Sequence, residues 1–363
     1  MPSAYATKLA EGFSSKVMQE VYLNAIFDEI CNRDYEGDIN DVGSKLNILS
    51  FAKLSEKVYN GNNLSVDDLS EVNGQLVIDQ QKSFYWREKT LAKWQSYIKE
   101  PRPVIIKQTA SERRKNVDKF ILGFFNRVAA GNRVGTDYTT GTVSIDASGN
   151  VTGSGTTFTS SMVGKAFTCT GLSKQYRIAT FTSTTAIAIQ LDVFDDTVTA
   201  YDGGVIAGGT SYTIQANTPV ALIGSNIMSN LLSLKQKLDD QEVPDEDRYL
   251  VVPPIIAKLI PQGTNISLSV PAAFDALVKK GFLTELVGFK IIQTPRVAGD
   301  NVNGWHVLAC NRNWLTFADK VLQVGMEEDL IGNFGTAYKD LYVYGAHVTD
   351  NRLKFAAELF CTG

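Results

Sequence analysis

The sequence predicts an α+β fold with a small all-β unit set into the middle of the chain. Three observations predict it. Helical apolar stripes and strand-length apolar runs are mixed along both flanks. From about residue 135 to 217 the composition turns to Thr, Ser and Gly, and Glu is absent from 136–214. At Thr218 the mixed pattern returns.

In chain order, Leu9, Phe13, Val17, Val21 and Ile26 fall close to a four-residue step, so residues 7–31 read as one amphipathic helix ending near Asn32. The following stretch reads as an extended arm entering a strand. Residues 56–75 are rich in Gly, Asn and Asp and read as turns with a polar loop. "LVIDQQKSFYW" reads as the returning strand of a long two-stranded excursion over 45–86. Such an arm has little core of its own and is expected to pack on something else. Past Pro101 and Pro103, the set Val117, Phe120, Ile121, Phe124, Phe125 and Val128 makes a helical face that Gly131 closes.

Within the Thr-rich stretch, alternation at Val143/Ile145, Ile187/Ile189/Leu191 and Tyr212/Ile214 predicts strands, with turns at Ser148-Gly149-Asn150 and Gly203-Gly204. Thr218 and Pro219 read as N-cap and first residue of a helix with Val220, Ile223, Ile227, Leu231, Leu234 and Leu238 on one face. In "QEVPDEDRYLVVPPIIAKL", the apolar run Tyr249–Val252 predicts a strand buried on both faces; Pro253 stops it and Pro254 starts a short helix. Residues 271–280 read as a helix closed by Gly281. Short strands follow in "FKIIQT", "WHVLACN", "VLQVGMEED", "DLYVYGAHVT" and "LKFAAELF".

The 363 residues are 44% hydrophobic and 20% charged, which suits two or three folded domains. No apolar run is long enough to span a bilayer, and the first residues lack the apolar core of a secretory signal. Cys31, Cys169, Cys310 and Cys361 are widely spaced, without a CxxC pair, and read as reduced thiols. His306 and His347 sit in apolar strands and read as packing residues. "GNVTGSG" at 149–155 lies between strands and reads as a β-turn, because a phosphate cradle needs a following helix N-terminus. The acidic groups Asp245–Asp247 and Glu327–Asp329 read as solvated turns. No pattern of nucleophile, base or metal ligand emerges, so no catalytic residue, metal or cofactor is assigned.

Charge is the uneven feature. The net charge is −4, yet Lys82–Arg133 carries +9, leaving −13 on the remainder. Arg113, Arg114, Lys115, Lys119 and Arg127 are the candidate residues for a surface that meets an acidic partner or packaged nucleic acid. No aromatic stacking pattern accompanies them, so sequence-specific recognition is not expected.

Several segments, in order, carry a family resemblance. "NRDYEGDINDVGSKLNI" resembles the amino-terminal arm and first strand of tailed-phage major capsid proteins of the HK97 fold. "LSVDDLSEVNGQLVIDQQKSFYWREKT" resembles the returning strand of the E-loop in the P22-type coat-protein branch. Residues 101–131 resemble the spine helix. "LDDQEVPDEDRYLVVPPIIAKLI" and "KKGFLTELVGFKIIQTPRV" resemble the A-domain, and "KDLYVYGAHVTDNRL" its closing strands. The match covers about 15–134 and 218–360. It implies an amino-terminal arm (1–36), E-loop and flanking strands (37–99), P-domain spine helix (100–134), inserted all-β domain (135–217), A-domain (218–325) and closing strands (326–363). It further implies a non-enzymatic virion protein, assembled in the host bacterial cytoplasm. Pentamers and hexamers would close an icosahedral shell around double-stranded DNA, bound non-specifically. The implied partners are a separate scaffolding protein (since the chain begins almost at the arm), a portal protein and a decoration protein, with no membrane. Lys57, Tyr59, Asp67 and Asp68 would be E-loop residues touching neighbouring subunits, and no covalent linkage between subunits is expected. A second reading is a phage or bacterial adhesive protein, with a carbohydrate-binding face on the β unit built from Tyr138, Phe158, Tyr176 and Tyr201.

Overall fold

The computed structural model describes residues 15–21, 25–34, 45–51, 71–89, 102–172, 176–191, 200–263, 285–301, 303–327 and 335–363. Residues 15–21 are helical, with Val17 and Val21 fully buried. The expected single helix over 7–31 is interrupted. Ala25 is extended (φ −83°, ψ 132°), and a separate short helix α1 (Ile26–Ile30) follows, leading into β1 (Cys31–Asn32). The break has a structural use: the Phe27 N–H, which a continuous helix would occupy, donates instead to Asp118 Oδ1 at 3.3 Å.

Strands β2 (Lys45–Phe51) and β3 (Glu71–Val77) form an antiparallel ribbon, in register from Lys45↔Val77 to Phe51↔Glu71. The returning strand expected over 76–86 divides at Ile78-Asp79, where β3 ends and β4 (Gln80–Lys89) begins in a different sheet. Helix α2 (Arg102–Leu122) accepts Pro103 because the first turn needs no N–H from it. Its buried stripe is Ala110, Arg113, Val117, Asp118, Ile121 and Leu122. The expected helix reaches Gly131, but the α-helix stops at Leu122. A 3₁₀ turn at Gly123–Arg127 then swings Phe124 and Phe125 inward, and Val128 is already extended. After a short β5 (Arg133–Val134) the chain enters the Thr-rich unit.

That unit consists of β6 (Thr136–Tyr138), β7 (Thr142–Ile145), β8 (Asn150–Ser154), β9 (Ala166–Cys169), β10 (Tyr176–Ser183), β11 (Ala186–Leu191), β12 (Ile206–Thr210) and β13 (Tyr212–Thr218). They form one antiparallel sheet in the order β12-β7-β8-β11-β10-β9-β13-β6. The alternating residues are its core: Val143, Ile145, Ile187, Ile189, Leu191, Tyr212 and Ile214 are all buried in one cluster. The turn from β7 to β8 is closed by Asp146, whose Oδ1 accepts from the Ser148 and Asn150 N–H groups at 2.8 and 2.9 Å. Gly149 takes the left-handed φ of +81° that the turn demands.

Residues 220–238 depart from expectation at their start. Thr218 ends β13, and Val220–Ala221 form β14 beside the carboxy-terminal strand, so helix α3 (Ile227–Asp239) begins only after Asn226. The sheet offers backbone hydrogen bonds that the Thr-Pro helix-start signal cannot match. β15 (Arg248–Val252) is buried at every position, Pro253 precedes α4 (Pro254–Ala257), and Pro254 is its first residue. β16 (Glu285–Leu286), β17 (Phe289–Gln293), β18 (Gly299–Asp300), β19 (Gly304–Asn311), β20 (Leu315–Glu327), β21 (Gly335–His347) and β22 (Ala356–Thr362) complete the chain. Of "LKFAAELF", the first three residues lie in a 3₁₀ turn (Asp350–Phe355) rather than a strand. The helix expected over 271–280 lies outside the described residues.

The central sheet runs β14-β22-β19-β15-β17-β16. β15 pairs with parallel β17 on one side and antiparallel β19 on the other. Its alternate residues feed two different cores, which explains its unbroken apolar run. Tyr249 and Val251 pack with Val117 and Ile121 of α2, whereas Leu250 and Val252 pack with Leu231, Leu234 and Leu238 of α3. A second sheet runs β1-β20-β21-β4.

Candidate functional site

The four-stranded sheet is built on two 13-residue strands, β20 and β21. At the usual rise of ~3.3 Å per residue they reach about 40 Å. Near the body they contribute Leu315, Phe317, Tyr342 and Tyr344 to the α2-side core. Toward the far end the described residues form a small cluster, Met326 and Tyr338 with Trp86 and Val324, in which the Trp86 and Tyr338 rings stack at 4.7 Å. Among the described strands β4 is the edge of this sheet, and its Tyr85 is 61% exposed between exposed Lys82 and Arg87. Lysine and arginine on an edge strand discourage indiscriminate pairing while leaving it open to a matched partner.

Among the described residues, three ionic clamps tie this sheet, the amino-terminal segment and the body together, two of them through α2. Arg113 of α2 donates through Nη2 to both Asp340 oxygens, at 3.0 and 2.9 Å, and lies over the rings of Tyr342 and Phe84. Asp340 also accepts from the Phe84 N–H of the edge strand at 3.2 Å. Asp118 pairs with Arg296 and holds the Phe27 N–H; burial pushes its carboxyl above the ordinary range against the pull of Arg296. Arg33 bridges Asp28 to Asp319 of β20, and Asp319 accepts from the Tyr342 hydroxyl at 2.7 Å.

The candidate basic surface is therefore smaller than its sequence suggests. Arg113 and Arg127 are buried, at 2% and 5% exposure, and cannot face an external polyanion. Arg113 is occupied by Asp340, and Arg127 turns inward with the 3₁₀ segment. Arg114 is half-buried; Lys115 and Lys119 are exposed, with Glu112 3.4 Å from Lys115. Lys57, Tyr59, Asp67 and Asp68 lie outside the described residues. Asp340, Asp319 and Glu358, which organise the buried charge, carried no local signal, since Arg113 and Asp340 are 227 positions apart.

Nothing in the described residues assembles chemistry. No group of three or more His, Cys, Asp or Glu among them is placed to hold a metal ion. The four cysteines are buried and unbonded, and burial pushes the Cys310 and Cys361 thiols up to about 12, which keeps them protonated. His306 and His347 are buried in strands as expected. The turn at Asp245–Asp247 is solvated: Asp245 pairs with Arg248 and Asp247 with Lys290. Of the four aromatics proposed for a sugar-binding face, Phe158 and Tyr176 are 1% exposed, and Tyr138 and Tyr201 pack against the same core. Among the described residues no helix is long and apolar enough to cross a membrane.

The sequence matches no family model and no curated protein. Solved structures do resemble the fold. A chain of Mycobacterium phage Che8 superposes with a TM-score of 0.57 at 16% identity, covering 93% of this chain and 91% of that one. A chain from the capsid structure of the cyanophage P-SCSP1u gives 0.56 at 12% identity, covering 94% and 89%. One from the capsid of Ralstonia phage GP4 gives 0.52 at 10% identity, covering 94% and 92%. The chain thus has an α+β fold shared with chains of phage particles.

Proposed function

We propose that this chain is the major capsid protein of a tailed double-stranded DNA bacteriophage, a non-catalytic subunit of the HK97 fold in the P22-type branch. The observation that carries the reading is the fold likeness over more than nine-tenths of the chain to proteins of three phage particles, two of them described as capsids. The four-stranded sheet and the β2–β3 ribbon are consistent with it. A two-stranded ribbon is marginal on its own, and among the described residues the far half of β20–β21 rests on a small cluster, so both limbs gain most from adjacent copies. The domain division given by the resemblance, with its E-loop, spine helix, A-domain and inserted β unit, belongs to this proposal.

In this role copies form pentamers and hexamers of an icosahedral virion shell, assembled in the host cytoplasm with a scaffolding protein, closed at a portal and able to carry a decoration protein. DNA contact is non-specific, through Arg114, Lys115 and Lys119. Each contact between copies is modest, at ~25 cal/mol per Å² of apolar area less ordering costs, but closed symmetry repeats it around every subunit. The adhesive reading is weaker because two of its four aromatics are core residues. The test is expression with the scaffolding protein of its own phage, followed by negative-stain electron microscopy. Uniform hollow shells are expected. A chain that remains monomeric with its scaffold at assembly concentrations overturns the reading.

A further inference from the structure

Side chains from the β unit and from the body meet around one carboxylate. Glu358 of β22 is fully buried. From the β unit, Gln215 of β13 donates through Nε2 to Glu358 Oε2 and, at 3.0 Å, to the Phe125 carbonyl, while its Oε1 accepts from the Ala166 N–H at 3.3 Å. From the body, His306 Nδ1 meets Glu358 Oε1. The imidazole is held flat between Phe125 and Phe360, with ring centres at 3.8 and 4.5 Å and interplanar angles of 18° and 22°. Lys165, just before β9, is 1% exposed and places Nζ 3.8 Å from the centre of the Phe360 ring. Arg133 and Asp137, at the neck of the unit, bring charges that are felt at the same centre.

With His306 neutral, the cations Lys165 and Arg133 balance the carboxylates Glu358 and Asp137. Protonating His306 places a third cation in a site closed to water, where unbalanced charge is costly. We infer that this centre is a pH-sensitive latch: Glu358, shared by Gln215 and His306, seats the β unit on the body, and proton uptake by His306 releases it.

The direction follows from linkage. Burial pushes His306 below its ordinary value, against the pull of Glu358. Lys165 is pushed down to about 8 by burial, against Glu358 and Asp137. Both bases hold protons less tightly when the unit is seated than when water reaches them, so seating strengthens as pH rises. On acidification it weakens first from the ordinary lysine range down to about pH 8, as Lys165 charges, and again below about pH 6.5, as His306 charges.

Single-molecule energy transfer on the full chain tests this, with dyes on T184C in the β unit and S229C on α3, both exposed positions. The four native cysteines are buried and do not compete for dye. One narrow transfer population is expected at about pH 7.5, and a second, broader one growing below about pH 6.5 by up to about tenfold per pH unit. H306F keeps the aromatic stack but cannot take the proton, and is expected to lose the response between about pH 7 and 5. E358Q is expected to show the second population throughout. An unchanging distribution in the unsubstituted chain overturns the latch, as does a full acid response in H306F. These two chains decide the matter even if E358Q fails to fold, and neither arm depends on shell assembly.

Discussion

At Arg113 a guanidinium that looks like part of a basic surface is committed inside the molecule. It reaches both oxygens of Asp340 and lies 4.4 Å from the centre of the Tyr342 ring and 5.3 Å from that of Phe84, which joins α2, β21 and the edge strand β4 at one point. A buried pair contributes little over apolar residues of the same volume, but removing one partner strands the other. R113M is therefore expected to lower unfolding free energy by ~3–5 kcal/mol, with D340L similar, whereas R113M/D340L together should recover most of the loss. Urea denaturation of the four chains measures this. Equal and additive losses would place the stability in packing of the aliphatic stem rather than in the charge pair. Lys115 and Lys119 lie on the exposed side of the same helix, Lys115 in a surface pair with Glu112, and face solvent or a partner instead.

Among elements, those that carry their own pattern were legible, and those decided by a distant partner were not. The run Tyr249–Val252 announced β15 because each face of that strand meets an apolar core. The Thr-rich strands announced themselves by alternation because one face is buried and the other is not. The break at Ala25, the division at Ile78-Asp79 and the capture of Val220–Ala221 by β22 were invisible, because each is set by a partner far away in sequence. The same holds for the candidate site: its basic composition could be read, while the division into buried and exposed members depends on Asp340 and on the 3₁₀ turn at Phe124. Gly345 is a further case. It sits inside β21, where a Cβ would overlap the Val77 carbonyl oxygen and crowd Ile78. β3 thus leaves the ribbon pressed against the backbone of β21. G345A is expected to destabilise by ~1–3 kcal/mol through overpacking and to raise hydrogen exchange first at β3 and β21. A neutral change in thermal unfolding would mean that the crossing relaxes freely.

For the whole molecule, the question is how an eight-stranded sheet is accommodated between two stretches of the chain that belong to the central sheet. The neck gives the answer. β5 and β14 both lie parallel to the same edge of β22, with Val134 opposite Leu359 and Val220 opposite Cys361. The chain leaves the body at one position of an edge strand and rejoins the same line with Phe360 as the one intervening partner, so the β unit interrupts what would otherwise be a single strand. The body's two cores draw almost nothing from 136–218: they close around α2, α3 and β15. Replacing residues 135–219 by one or two linker residues should therefore leave the central sheet continuous. What deletion does expose is the seat itself, with Glu358, His306, Phe125 and Phe360. An uncovered aromatic stack invites association, so the deletion should carry polar replacements at Phe125 and His306. The expected outcome is a chain whose far-ultraviolet dichroism has lost the strand contribution of the β unit, which still unfolds cooperatively and, in the proposed capsid role, still forms shells when expressed with a scaffolding protein. A deleted chain that is soluble and folded but no longer closes into particles would show that the β unit takes part in contacts between subunits.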